Sequence, residues 1–200
     1  MNTGYEKGKN MKPSKNDVLT RIFKDYTCSD CEDFCNIASL ISSNDNDVAK
    51  QLDFAVSEPE KYLKENAQQF WERNIDFEDY DSADEFEPEE LLFLAMTNEL
   101  EEHGYAFEVD WKCELEDFLW ALEQIKTYDL ISDVIPELEL SEDGDVEEWG
   151  EKINNALEGK AMIGAIGINS DSYPLIIVSA ETLEKIQGLA KKKGQIIEDL

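Results

Sequence analysis

Three cysteines form the sharpest local pattern in the chain: Cys28, Cys31 and Cys35 lie within eight residues. Three thiolates joined by His103 or Cys113 could complete a tetrahedral zinc site, but such sites usually pair two CxxC knuckles and the chain has one. The same spacing places the three thiols on one face of a helix, where cysteine packs as a small apolar side chain. The pattern therefore favours reduced, metal-free structural thiols. A redox CxxC is less favoured, because no strand precedes it.

The chain has a single histidine, His103, which falls where a helix is predicted to end. The helix dipole stabilises a cationic ring there, so capping is favoured over general-base catalysis. Acid–base chemistry would have to come from paired carboxylates such as Asp110 and Asp171. Nucleotide binding is disfavoured, because no GxxxxGK or GxGxxG motif occurs and only Arg21 and Arg73 could clamp phosphates. The sequence identifies no catalytic residue, no metal site and no cofactor.

Negative charge dominates the middle of the chain. Residues 25–150 contain 38 Asp and Glu against six Lys and Arg, a net charge of −32 where the whole chain carries −29. Such a field repels nucleic acid and anionic lipid and favours a basic protein partner. The densest acidic run, residues 76–90, is predicted to be an ordered loop anchored by its aromatic side chains. The predicted binding residues are Glu78, Asp79, Tyr80, Asp81, Asp84, Glu85 and Phe86, with Trp71 and Phe77 as further aromatic anchors.

These residues favour a binding protein that docks a basic partner. One version is an immunity or antitoxin-like protein that covers the cationic site of a nuclease toxin, and a DNA-mimic inhibitor is closely related. The alternatives are a carboxylate-based enzyme of unknown reaction and a structural subunit of a larger assembly. The oligomeric state is left open.

The elements that must position these residues indicate an α+β fold, with a helical N-terminal half packed on a small, mainly antiparallel sheet. Residues 1–16 read as a flexible tail and residues 17–200 as a single domain. A capping box at Ser29 and Glu32 is predicted to begin the helix that carries the cysteines. Helices are predicted over residues 18–26, 29–41, 47–56, 57–71, 88–103, 114–126, 145–157 and 179–193.

Strands alternate with turns in the last quarter of the chain. Residues 161–168 and 173–178 are predicted to pair as an antiparallel hairpin, with residues 105–110 and 196–197 as further strands. Gly164 and Gly167 predict a bulge or a close packing contact. No apolar run approaches the roughly 20 residues that cross a membrane, and the N-terminus lacks a signal-peptide pattern, so a cytoplasmic location is expected.

Two segments carry a resemblance to a known family. Trp111-Lys112 followed by residues 116–122 (Glu-Asp-Phe-Leu-Trp-Ala-Leu), and the turn at residues 169–173 (Asn-Ser-Asp-Ser-Tyr) with the strand, Ser-capped helix and short strand after it, are similar to an uncharacterised bacterial family of unknown function. The resemblance covers about residues 105–200. It implies a bacterial cytosolic origin and a compact α+β fold, and it implies no catalytic residues.

Overall fold

The structure is a computed structural model that describes residues 15–27, 31–77 and 86–200. The predicted tail therefore lies almost wholly outside the described residues. Nine α-helices occur in the described part of the chain, with two single 3₁₀ turns at Tyr128–Leu130 and Ile135–Glu137. The helices are α1 (Lys15–Ile22), α2 (Glu32–Ile41), α3 (Asn46–Ser57), α4 (Pro59–Glu65), α5 (Ala67–Glu72), α6 (Pro88–Glu102), α7 (Leu115–Gln124), α8 (Val146–Ala156) and α9 (Ala180–Lys192).

Four strands form one fully antiparallel sheet in the order β1-β3-β2-β4. They are β1 (Phe107–Asp110), β2 (Met162–Gly167), β3 (Ser172–Val178) and β4 (Ile196–Asp199). The hairpin of β2 and β3 pairs Ala165 with Leu175, and β1 pairs Asp110 with Ser172. The α+β class and the antiparallel hairpin are thus confirmed.

The sheet lies between two helical layers, because its strands alternate their apolar side chains. In β3, Ile176 and Val178 join the buried cluster built from α1–α6 and α9, whereas Leu175 and Ile177 join a second cluster with α7 and α8. The predicted packing of the N-terminal helices on the sheet is confirmed, and the opposite face of the sheet is covered as well. Within the described residues, no helix combines the length and apolar character that a membrane crossing requires.

Residues at the ends of several helices adopt the capping roles that the sequence predicts. Ser179 Oγ accepts a hydrogen bond at 3.1 Å from the backbone amide three residues later, at the start of α9. Pro88 is the first residue of α6, and Gly104 follows the end of that helix with a φ of +70°. Gly164 has the predicted close contact: a Cβ there would lie 2.8 Å from the Glu198 carbonyl oxygen and 2.9 Å from Leu183 Cδ1.

The single helix predicted over residues 57–71 is wrong, since the segment divides between three helices. Ser57 is the last residue of α3, and α4 begins at Pro59. Asn66 then leaves helical geometry, with φ −107° and ψ 18°, and its Nδ2 donates to the Tyr62 carbonyl oxygen at 3.0 Å. Asn favours such local side-chain bonds over continued helix. Trp71, near the end of α5, is 60% exposed, as an aromatic docking anchor requires.

Helix α6 is buried on all sides, as its apolar sequence predicts: residues 91–100 are all buried. Its one buried carboxyl, Glu99, accepts a hydrogen bond at 2.5 Å from the Tyr62 hydroxyl. Burial raises the pKa of Glu99, and the bond from Tyr62 opposes that rise. His103 Nδ1 lies 2.8 Å from the Glu99 carbonyl oxygen, so the predicted capping role of the histidine is confirmed.

Candidate binding clefts

A cleft of about 880 Å³ opens between α5, α6 and one edge of the sheet. Because β1 and β3 are antiparallel, the C-terminal end of β1 and the turn that precedes β3 lie at the same end of the sheet. Seven carboxylates line this cleft, against one cation among the described residues that line it, Arg73. We call it the acidic cleft, and its carboxylates are Glu72, Glu90, Glu101, Glu102, Glu108, Asp110 and Asp171.

Arg73 is the hub of the acidic cleft. Its guanidinium donates to Asn98 Oδ1 at 2.8 Å, to Glu101 Oε2 at 2.8 Å and to Glu108 Oε2 at 2.7 Å. The side chain is 13% exposed, so these charge-assisted bonds are largely shielded from solvent. Arg73 follows α5, whereas its partners lie on α6 and β1. The network therefore fastens the α5–α6 side of the cleft to the sheet.

A chain of hydroxyls extends the network to the hairpin turn. Ser172 Oγ donates to Glu108 Oε1, and the Ser170 and Ser172 hydroxyls lie 2.5 Å apart. Ser170 Oγ also accepts from the Ser172 backbone amide at 3.1 Å. The turn between β2 and β3 is thus held against β1 by side chains as well as by the backbone ladder.

Glu101 has the most perturbed carboxyl of the acidic cleft. Burial raises its pKa to about 7 against the opposing charge of Arg73, and the negative charge of Glu108 adds to the rise. In the described part of the chain, three buried side-chain atoms lack a hydrogen-bond partner: Gln69 Oε1, Asn98 Nδ2 and Glu101 Oε1. All three residues line the acidic cleft. Its polar groups are therefore the ones that the protein itself satisfies least.

A second cleft, of about 410 Å³, shares the hairpin turn as a wall. Residues 167–172 line both clefts. Trp111, Asp171 and Glu198 also line the smaller one, which we call the Trp111 cleft. The two clefts thus lie on either side of one turn.

The predicted binding residues lie partly outside the described residues. Residues 78–85, which include six of the seven, are not described, whereas Phe86 lines the acidic cleft beside Ile75. Of the described residues of the acidic run, Phe86 and Glu90 line this cleft, whereas Asp76 and Phe77 do not. Phe77 is a wrong choice of docking anchor: it is 8% exposed and packs on Phe70 with ring centroids 5.3 Å apart.

The two carboxylates proposed for the enzyme alternative, Asp110 and Asp171, come together in the acidic cleft. The Trp111 backbone amide donates to the Asp171 carbonyl oxygen at 3.0 Å, and this bond holds the end of β1 against the turn between β2 and β3. Of their neighbours, Arg73 was considered only as a phosphate ligand, and Glu101 and Glu108 were not predicted as site residues. The isolated Arg73 within an acidic stretch was the one signal that could have indicated a charge hub.

Of the described cysteines, none lines either cleft. Cys31 is fully buried at the N-cap of α2 and Cys35 is half-buried one turn later, so the predicted packing face is confirmed for these two. Cys28 and the predicted cap Ser29 lie outside the described residues. Among the described residues, no group of three or more His, Cys, Asp or Glu side chains could hold a metal ion.

The chain belongs to a family described as a domain of unknown function, DUF6630, whose model matches residues 33–200. The match is wider than the resemblance seen in the sequence, because it also includes α3–α6 and nearly all of α2. Comparisons with curated proteins and with solved structures found no match. The family assigns no activity, so its members supply no site residues for comparison.

Proposed function

We infer that this protein binds a basic protein partner through the face that carries the acidic cleft. The observation behind this is the imbalance of charge in the cleft: seven carboxylates line it, and Arg73, the one cation among its described lining residues, is already bonded to two of them. A concave surface of one charge sign focuses the field and raises the local concentration of an oppositely charged partner.

The unsatisfied polar atoms support the same proposal. Gln69, Asn98 and Glu101 line this cleft, and each has one buried side-chain atom without a hydrogen-bond partner. Lys and Arg side chains carry donors only, so on becoming accessible the Gln69 and Glu101 oxygens could accept from them, whereas Asn98 Nδ2, itself a donor, could not pair with them.

More specifically, the proposed binding protein would be an immunity or antitoxin-like protein or a DNA-mimic inhibitor that acts in a bacterial cytoplasm. Both would cover a cationic active site, and complementary fields would make association fast and salt-sensitive. A nuclease whose cleavage is blocked stoichiometrically by this protein would support these versions over a structural subunit.

Charge neutralisation tests the proposal. The probe is fluorescein-labelled octalysine, mixed in a stopped-flow instrument at 0.05 M and 0.5 M NaCl. The test variant replaces exposed cleft carboxylates: Glu102→Gln, Asp110→Asn and Asp171→Asn. The control variant changes the net charge equally at exposed positions outside both clefts: Glu151→Gln, Glu158→Gln and Glu184→Gln.

The cleft variant should associate about threefold to tenfold more slowly than the wild type at low salt, and the control variant much less so. The difference should shrink at high salt, where the Debye length falls from about 13 Å to about 4 Å. Equal slowing in both variants would assign the effect to overall charge and contradict docking at the cleft. Amide replacement of the carboxylates in residues 78–85 is expected to slow association as well.

One observation favours the carboxylate enzyme as a second candidate. Glu101, with a pKa of about 7, could donate or accept a proton near neutral pH. Any turnover that depends on Glu101 should follow that pKa in its pH–rate profile. Glu101→Gln should abolish this pH dependence, and a turnover unchanged by that substitution would exclude the candidate.

A further inference from the structure

We propose that the indole of Trp111 is the subsite that receives a lysine or arginine side chain of the basic partner. This inference rests on the function proposed above and assigns it a specific contact. The interaction is a cation–π contact in which the ring face attracts the ammonium or guanidinium.

The position of the ring is fixed by the turn that carries it. Asp110 Oδ1 accepts from the Lys112 backbone amide at 2.8 Å, and the Asp110 carbonyl oxygen accepts from the Cys113 amide at 3.0 Å. The Trp111 amide itself is bonded to the Asp171 carbonyl oxygen at 3.0 Å. The indole is nevertheless 48% exposed. A rigid backbone thus presents an accessible aromatic face, which lowers the entropy lost on binding.

The ring already attracts a cation within the chain. Lys112 Nζ lies 4.3 Å from the centroid of the Trp111 ring. This exposed lysine occupies the place that a partner's ammonium would take. A partner's ammonium must displace this lysine to reach the ring face, while further basic side chains of the partner meet the carboxylates of the acidic cleft.

Charge around the ring fits a cationic ligand. Asp171 and Glu198 line the Trp111 cleft, and no Lys or Arg is among its described lining residues. The hairpin turn separates it from the acidic cleft, so a basic segment could place one side chain in each.

Other exposed apolar side chains lack this setting. The described large examples are Trp71, Trp111, Trp120, Leu130 and Ile196, and of these only Trp111 lines either cleft. Trp120 is the matched control. It is 52% exposed, similar to Trp111, but its ring stands edge-on to Phe107 with centroids 5.2 Å apart on the opposite helical layer.

The experiment measures the affinity of fluorescein-labelled octalysine by fluorescence anisotropy, with far-UV circular dichroism to verify folding. Trp111→Leu should weaken binding about twofold to fivefold, the range that cation–π energies at exposed sites correspond to. Trp120→Leu should leave the affinity unchanged. Equal affinities of wild type and Trp111→Leu would overturn the subsite, whereas no binding of octalysine to the wild type would overturn the proposed function itself.

A double-mutant cycle with Lys112→Met separates ring competition from simple charge removal. Removing this positive charge should tighten binding in any background. The gain should be larger when Trp111 is present than in the Trp111→Leu background, because only then does the substitution free a ring face. Equal gains in the two backgrounds would contradict the assignment.

Discussion

Replacing Arg73 with methionine tests the charge network that holds the acidic cleft together. The substitution keeps an unbranched stem and removes the guanidinium, which contacts Asn98 Oδ1, Glu101 Oε2 and Glu108 Oε2 at 2.7–2.8 Å. Three acceptors then lose their donor, and two carboxylates face each other without a cation. We expect the free energy of unfolding to fall.

The magnitude follows from the burial of the partners. Removing one partner of a fully buried ion pair costs about 3–5 kcal/mol. Arg73 and Glu101 are 13% and 23% exposed, but Glu108 is 34% exposed, so solvent screens part of its loss. We therefore expect Arg73→Met to lower the free energy of unfolding by roughly 2–4 kcal/mol at pH 8.

The loss should depend on pH through Glu101. Its folded-state pKa of about 7 stands above the ordinary 4.5, so its stabilising contribution is complete below pH 4.5 and is lost as pH rises through 7. Without the opposing charge of Arg73, the folded pKa rises further and the loss grows. At pH 5, where Glu101 is protonated in both proteins, Arg73→Met should cost roughly 1–2 kcal/mol less than at pH 8.

Urea unfolding at pH 5 and pH 8, followed by circular dichroism, measures both effects. Lys185→Met is the control: its pair with Glu181 has the same 2.7 Å separation as Arg73 with Glu108, but its side chains are 56% and 79% exposed. That exposed pair is screened by solvent, so its removal should change the free energy of unfolding little at either pH. The reasoning fails if Arg73→Met costs no more than Lys185→Met at pH 8, or costs the same at both pH values.

Three further predictions concern the fold. Gly164→Ala should cost about 1–3 kcal/mol in urea unfolding, because its Cβ would meet backbone at 2.8 Å, whereas Gly188→Ala in α9, with open space around the new Cβ, should stabilise; equal effects would contradict this. Tyr62→Phe should cost about 1–3 kcal/mol, more at high pH, since it removes the donor to the buried Glu99; no loss at pH 8 would count against that bond. Elemental analysis should find less than one zinc per chain, and a tightly held zinc lost in Cys31→Ala would refute the structural-thiol interpretation.

Signals confined to a few neighbouring residues predicted much of the fold. Pro88, Gly104 and Ser179 each determine the conformation of their own turn, so their effect is visible in the sequence. The hairpin of β2 and β3 could also be predicted from the sequence, because a short turn joins its two strands. The break at Asn66 was missed because a helical spacing of apolar residues continues across it.

The acidic cleft could not be predicted in the same way. Arg73 is separated by 28 residues from Glu101 and by 35 from Glu108, and Glu108 is separated by 64 from Ser172. No periodicity links positions so far apart, and 47 acidic residues offer too many possible pairs. Composition predicted a negative surface, but the place where its carboxylates converge depends on how the sheet edge meets α6.

The buried cluster that α1–α6 and α9 form on one face of the sheet affects how the chain folds during synthesis on the ribosome. Phe34 of α2 shares this cluster with Leu183 and Ile186 of α9 and with Ile197 of β4. Chains emerge from the N-terminus, so the part of this cluster that α9 and β4 cover stays exposed until those elements arrive. Isolated helices as short as α1–α5 are marginal in water, and their final packing must wait for the last quarter of the chain. We therefore expect nascent chains that end before β3 to bind holding chaperones, and chains released after β4 to escape them.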